Sequence, residues 1–266
     1  MTKTILITGA GSGFGEGAAI GLARAGHNVI ATAQIAPQVS HLRRKAQDLG
    51  VQLRIEKLDL HDPYDVAYAH TWDIDILVNN AAIGECGPIS EIPLDLVRHT
   101  FETNVFRPLF LTQGFVKRWV AGTKAGKIVF TSSMGGLFTP PGYAAYTATK
   151  HAIEGMAESL RQELDPFGIK IQTINPGAYF TGFNETMADT PFRWLDDSKN
   201  FTKRADMRAL FHSLLETPSG KLDPQEIINA MIEIIPSDEG KYRNVIPQFV
   251  EDQIKQDQAE RWESRI

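Results

Sequence analysis

The chain has 266 residues, 42% of them hydrophobic and 22% charged, with a net charge of −5. This is the composition of a soluble globular protein long enough for one sizeable core, and its mild acidity offers no electrostatic basis for a nucleic-acid partner. The one cysteine, Cys86, excludes an intrachain disulfide and suits a reducing compartment. No run approaches the ~20 apolar residues of a membrane helix. The N-terminal MTKTILITGAGSG is broken by glycine too soon for a signal peptide, so no membrane association and a cytoplasmic location are expected.

In chain order, KTILITG reads as a buried strand stopped by Gly9, and FGEGAAIGLARAG as a helix stopped by Gly26. HNVIATA is a second strand, SHLRRKAQDLG a helix ending at Gly50, and VQLRIEKLDL a third strand. DIDILVNNAA and GKIVFTSS predict strands four and five, with a long helical segment around 95–121 between them and another around 143–167 after them. IKIQTINPG is a sixth strand and KYRNVIP the last. Apolar strands alternating with helices predict an α/β fold: a doubly wound parallel sheet of the Rossmann type in three α/β/α layers. No linker divides the chain, so residues 1–266 are expected to form one domain. Residues 178–222 lack the alternation and read as an insertion over the carboxyl edge of the sheet. The final VEDQIKQDQAERWESRI is polar and reads as an exposed helix or tail.

The first strand runs into TGAGSGFG, where Gly9, Gly13 and Gly15 allow a sharp turn and close approach of a ligand. The helix N-terminus that follows favours a pyrophosphate, although such glycines also serve tight helix–sheet packing. At the end of strand two stand Ala33 and Gln34, neither the acid that bonds a ribose hydroxyl nor an arginine for a 2′-phosphate. Without a carboxylate at that position, and with Arg43 and Arg44 on the next helix, the reading tilts toward NADP over NAD. Asp59 is either an acceptor for the adenine amino group or a loop or helix-capping acid.

In PGYAAYTATK, Tyr146 and Lys150 are four residues apart and share a helix face. A phenol with pKa ~10 is a poor base at neutral pH. A nearby ammonium favours the phenolate, which lets such a tyrosine exchange a proton with an alcohol oxygen. Tyr143 is two turns from the lysine and reads as a pocket or packing aromatic. Taken in order, the glycine turn, NNAA at 79–82, Asn104 in ETNVF, Ser132–Ser133, Tyr146 with Lys150, and NPGAYFT at 175–181 resemble the short-chain dehydrogenase/reductase family over roughly residues 3–181.

That resemblance implies that Tyr146 is the general acid/base, that Lys150 lowers its pKa and bonds the nicotinamide ribose, and that Ser133 bonds the substrate oxygen. It implies that Asn104 holds a water linking Lys150 to solvent, and that Ser132 is a neighbouring strand-end hydroxyl bonded to backbone. Cofactor contacts are implied at Gly9, Ser12, Gly13, Phe14, Gly15, Gln34, Asp59, Leu60, Asn79, Ala81, Pro176, Gly177, Tyr179 and Thr181, besides Tyr146 and Lys150. Ala82 replaces the glycine common in the family's Asn-Asn-Ala-Gly. A homotetramer or homodimer paired through the two long helices is implied as well. No metal is expected, because the seven histidines show no zinc-binding spacing. Cys86 has nothing nearby in sequence to activate it and reads as a bystander.

Met134, Phe138, Tyr143 and Phe183 are the expected substrate-pocket residues, and the apolar 178–222 segment suggests a hydrophobic or aromatic secondary alcohol or ketone. The same residues could equally pack on themselves or on a partner subunit. Two alternatives stand beside this: a reductase of an acyl thioester such as a 3-oxoacyl thioester, and a cofactor-binding sensor without catalysis. A Tyr-to-Lys gap of seven, usual in enoyl thioester reductases of the family, is not found here. A sensor would have no need for all four of Asn104, Ser133, Tyr146 and Lys150.

Overall fold

A computed structural model describes residues 1–215 and 222–265. The first half runs β1 (Thr4–Ile7), α1 (Gly13–Arg24), β2 (Asn28–Ala33), α2 (Ala36–Asp48), β3 (Arg54–Lys57), α3 (Pro63–Ala69) and β4 (Ile76–Asn79). There follow α4 (Leu94–Phe101), α5 (Arg107–Ala121), β5 (Lys127–Thr131), α6 (Ala144–Leu164) and β6 (Lys170–Pro176). The last part holds α7 (Phe183–Asp189), α8 (Arg204–Leu215), α9 (Pro224–Ile234), β7 (Arg243–Ile246) and α10 (Gln248–Trp262).

The strands form one sheet in the order β3-β2-β1-β4-β5-β6-β7, with every neighbouring pair parallel. Successive side chains of a strand point to opposite faces. Ile5 and Ile7 therefore join a core with residues of α1, α2 and α9, while Leu6 joins one with residues of α3, α5 and α6. Both faces are covered, which is why the central strands β4 and β5 are buried along their length, while the edge strand β3 is not. The strand order reverses direction between β1 and β4, and in such sheets the crevice beyond the carboxyl ends at that point takes the ligand.

The structure departs from the sequence reading in four places. The helix expected over 95–121 is divided into α4 and α5 by a π-helical turn, Glu102–Phe106, in which Asn104 is buried. Two helices had no counterpart in the reading: α3, capped by the Asp62 carboxylate accepting from Tyr64 N–H, and α9, capped by Asp223 accepting from Gln225 N–H. The 178–222 segment contains α7, a short 3₁₀ turn at Thr190–Arg193, and α8; its residues 216–221 lie outside the described residues. The polar C-terminal stretch is a helix, one of the two forms expected, but it is not wholly exposed. Val250 and Ile254, one helical turn apart on α10, are buried with Val245 against Met134, Leu137 and Phe138. Among the described residues no helix is long and apolar enough to cross a membrane.

Candidate active site

Where β1 ends, Gly9 has φ +66°, the left-handed region that suits glycine. A Cβ there would stand 2.7 Å from the Cα of Ala81, so the turn lies against the backbone that leaves β4. Asn80 fixes this approach, its Nδ2 donating to Thr8 O at 3.0 Å and to Gly9 O at 3.2 Å. The Thr8 hydroxyl oxygen accepts from the N–H groups of both Asn80 and Ala81. Ser12 precedes α1 in extended conformation, and its side chain caps none of the helix's first N–H groups. Those donors, at the positive end of a twelve-residue helix, form a cradle suited to a phosphate. The one acid in that first turn, Glu16, is paired with Lys45 and lies 3.6 Å from His41. The residues present thus fit a dinucleotide pyrophosphate.

Beyond β5 and on α6 the reactive side chains meet. Tyr146 and Lys150 are buried, and the Lys150 ammonium lies 5.6 Å from the Tyr146 ring centroid while donating to Thr131 O at 2.8 Å. Burial lowers the Lys150 pKa to about 8 against the opposing pull of Glu154. Burial also raises the Tyr146 phenol above its ordinary value, partly offset by a hydrogen bond with Ser133. The loss of hydration is the largest cause of that rise, and it comes from the assembled fold rather than from the spacing of Tyr146 and Lys150. The Ser133 hydroxyl accepts from Gly135 N–H at 3.0 Å, which pins the serine at the mouth of a 3₁₀ turn, Met134–Gly136. Ser132 does not follow expectation: its hydroxyl is buried with no partner, and its backbone N–H bonds Ile174 O instead.

The Asn104 side chain is fully engaged by protein groups. Its Oδ1 accepts from Ile83 N–H, and its Nδ2 donates to Ile83 O and to Thr149 Oγ1. Both amide hydrogens are spent, so the side chain locks the π turn to the loop after β4, while the Asn104 backbone carbonyl faces Pro108 four residues on, which has no N–H to give it. Two further residues escaped the sequence reading. Asn175 at the end of β6 donates to Ser133 O at 3.1 Å and to the buried Glu154 carboxylate at 2.6 Å. Glu154, one turn beyond Lys150, also accepts from Arg243 Nε of β7 at 2.9 Å. Only the spacing of Glu154 from Lys150 on α6 hinted at this tie.

The chain matches the short chain dehydrogenase family model over residues 3–191. It belongs to the short-chain dehydrogenase family. It is 39% identical over 194 residues to the uncharacterized oxidoreductase YusZ of Bacillus subtilis, covering 69% of this chain and 68% of that one. It is 30% identical over 243 residues to human 17-beta-hydroxysteroid dehydrogenase type 1, covering 87% and 74% respectively. Among solved structures, a short-chain dehydrogenase from Streptomyces avermitilis superposes with a TM-score of 0.75 at 26% identity, over 97% of this chain and 93% of that one. A Burkholderia phymatum short-chain dehydrogenase/reductase in complex with NAD superposes with a TM-score of 0.79 at 23% identity, over 96% and 92% of the two chains. The chain is an oxidoreductase of this family with a Rossmann-like parallel sheet.

Around the short-chain dehydrogenase crevice the other expected contacts divide. Gly13 has φ +58°, and a Cβ on it would face Thr181 at 3.9 Å, so the glycine turn and the segment after β6 come together. A Cβ on Gly15 would meet Asn80 Nδ2 at 2.5 Å and Gly9 O at 2.6 Å, which leaves no room for a larger residue. Pro176 ends β6, and Gly177 N–H donates to Ile246 O of β7 at 2.8 Å. Asn79 Nδ2 donates to Thr112 of α5, while its Oδ1 is buried and unpartnered. Leu60 and Ala81 pack their side chains into the second core, which leaves their backbone for any ligand.

Tyr179 and Phe14 depart from expectation. The Tyr179 ring is fully buried in the first core with its hydroxyl donating to Glu226, and Phe14 packs edge-on against it at 5.8 Å. Hydrophobic packing has taken these aromatics, so their side chains serve the scaffold. Gln34 Nε2 donates to Asp59 Oδ1 at 3.4 Å, and that oxygen also accepts from His61 N–H. Asp59 thus stands beside Gln34 near the end of β2, and Arg43 gives one N–H to Ile55 O. Of the four pocket residues, Tyr143 and Phe183 share an apolar cluster with Tyr146, Cys86 and Met187. Met134 and Phe138 pack against α10, with Arg261 stacked over Phe138 at 5.2 Å.

Proposed function

We propose that the chain is an NAD(P)-dependent carbonyl reductase and alcohol dehydrogenase acting on a hydrophobic or aromatic secondary alcohol/ketone pair, with Tyr146, Lys150, Ser133 and Asn104 as its working set. The observation that carries this reading is a buried Tyr146 phenol beside Ser133, with a buried ammonium 5.6 Å from its ring. A bound nicotinamide supplies or accepts the hydride. Tyr146, its pKa raised by burial, is a protonated phenol at neutral pH and is poised to give its proton to a carbonyl oxygen. Ser133 orients that oxygen by a hydrogen bond. Lys150, largely charged below pH 8, favours the phenolate left behind and is held in place by Thr131 O. Asn104 acts by fixing the π turn against α6 through Thr149.

The residues that would hold the dinucleotide are the 9–15 turn, Asn79, the Pro176–Gly177 corner and Thr181, with Gln34 and Asp59 at the adenosine end. Both NADP and NAD suit this edge. The apolar surroundings of Tyr146, including Phe183 with its ring 5.6 Å away, favour a hydrophobic substrate over a sugar or short acid. A panel of ketones and secondary alcohols assayed with both coenzymes in both oxidation states is expected to show turnover, fastest in the reductive direction near neutral pH. Absence of nicotinamide-linked turnover with every member would sink the reading in favour of a non-catalytic binder.

Leu94 of α4, Phe106 of the π turn and Phe110 of α5 are each more than half exposed, an apolar surface on the first of the two long helical segments of the implied subunit contact. We read this face as the interface of a homodimer or homotetramer. Light scattering should give a mass at least twice 29.5 kDa, and Phe110→Asp should reduce it. A monomeric wild-type protein would refute the assignment.

A further inference from the structure

Ser133 is placed through its backbone as well as through its side chain. Its carbonyl oxygen accepts from Gly136 N–H at 3.0 Å and from Asn175 Nδ2 at 3.1 Å. Asn175 is wholly buried on β6, and its Oδ1 accepts from Thr173 Oγ1 at 2.9 Å. The Asn175 Nδ2 also donates to Glu154 Oε1 at 2.6 Å, and the other carboxylate oxygen accepts from Arg243 Nε at 2.9 Å. Glu154 supports the Met134–Gly136 turn directly as well, since a Cβ on Gly136 would stand 3.1 Å from its Cγ. The glutamate is buried. Burying a carboxylate costs more than packing an apolar side chain of similar size, and a buried ion pair seldom repays that cost in stability. Stability alone therefore does not account for an acid at this position. What its bond to Asn175 and its stem both reach is the turn that carries Ser133.

We propose that Glu154, anchored by Arg243, is a positioning residue of the reductase: it orients the Asn175 amide that holds Ser133 O, and so sets where the Ser133 hydroxyl meets the substrate oxygen. An amide has two N–H donors, and here the carboxylate takes one and directs the other at Ser133 O. Arg243, reaching in from β7, keeps the carboxylate itself from turning away. The serine hydroxyl accepts from Gly135 N–H within the same turn, so a shift of the turn moves the hydroxyl with it. Neither Glu154 nor Arg243 exchanges a proton with the substrate; both act through Ser133. This assignment rests on the reading of Ser133 as the group that orients the substrate oxygen.

The test is a double-mutant cycle assayed with acetophenone or its longer alkyl homologues, using whichever the wild-type chain reduces fastest with NADPH or NADH. Glu154→Gln and Arg243→Met should each lower kcat by roughly 10- to 100-fold, the scale of a small misplacement at a reacting group, with KM and coenzyme affinity within about threefold. Arg243→Lys, which keeps a donor for Glu154, should recover most of the loss. In a Ser133→Ala background no hydroxyl remains to be placed. There the same two substitutions should cost less than about threefold, because effects that pass through one group do not add. Amide exchange at Gly135 and Gly136, whose N–H groups bond Ser133, should quicken in Glu154→Gln and Arg243→Met without coenzyme. An equal loss in both backgrounds would make Glu154 a residue of the scaffold only and overturn the proposal. Unchanged kcat in both variants, or unchanged exchange at both glycines, would overturn it too. Should Glu154→Gln fail to fold, Arg243→Met carries the same cycle, since the Arg243 side chain is more than a third exposed. Full turnover by Ser133→Ala alone would instead overturn the reading of Ser133 on which the proposal rests.

Discussion

Replacing Tyr146 by phenylalanine is expected to lower kcat/KM for ketone reduction by roughly 10³-fold, within the range that a positioned acid or base contributes. The substitution removes one hydroxyl and keeps the ring, so the contacts with Phe183 and with the Lys150 ammonium persist. Folding should change little, since only the bond to Ser133 is lost and the remaining surroundings are apolar. Coenzyme affinity, followed by quenching of tryptophan fluorescence, should stay within about twofold, because the glycine turn and the α1 N-terminus that would carry the pyrophosphate are untouched. Loss of turnover together with loss of coenzyme binding would mean that Tyr146 is a structural residue. Retention of activity within about tenfold would mean that another group supplies the proton.

Gly9→Ala should damage the protein at a different point, the cradle itself. An alanine at φ +66° costs about 1–2 kcal/mol from backbone strain alone. Its Cβ would also stand 2.7 Å from Ala81 Cα, a backbone atom that cannot turn aside, so β1 and β4 must part where the crevice opens. A matched comparison separates the two effects. Gly26 also has positive φ, +87°, but a Cβ there meets nothing within 4 Å. Gly26→Ala should therefore lower Tm by only a few degrees, as about 1 kcal/mol does in a domain of this size, with coenzyme affinity unchanged. Gly9→Ala should lower Tm further and weaken coenzyme binding by about 100-fold or more, a loss of ~3 kcal/mol. Equal behaviour of the two variants would show that the close approach at Gly9 carries no binding function.

The strands were legible because each is a short apolar run bounded by glycine or polar residues. All seven sit within the stretches that hydrophobicity marks, and the parallel sheet follows from their alternation with helices. The π turn at Asn104 was not legible. Residues 95–121 read as helical throughout, although Pro108 can give no N–H to Asn104 O, and the Asn104 amide bound to the backbone of Ile83 is a contact between segments far apart in sequence. The fate of Tyr179 and Phe14 was hidden for a related reason. An aromatic beside a glycine-rich turn looks the same whether it faces a ligand or α9, and here the Glu226 carboxylate and the apolar face of α9 claimed Tyr179. The sequence spacing of Tyr146 and Lys150 foretold their meeting, but not the rise that burial brings, because burial is a property of the assembled fold. In α10 only Val250 and Ile254 among polar neighbours marked a buried face, too sparse a stripe to read without the partner surface.

The bond from Arg243 to Glu154 links the part of the chain that the family model matches to the part beyond it. The family model ends at residue 191, yet Arg243 on the last strand holds the carboxylate that holds Asn175, and Asn175 holds the carbonyl of Ser133. The far edge of the sheet, beyond residue 191, thus bears on the placement of the group meant to orient the substrate. A substitution at Arg243 can therefore adjust the geometry of an unaltered Ser133 and Tyr146 from behind. A chimaera joining residues 1–191 to another member's C-terminal part would then inherit a different seat for its serine.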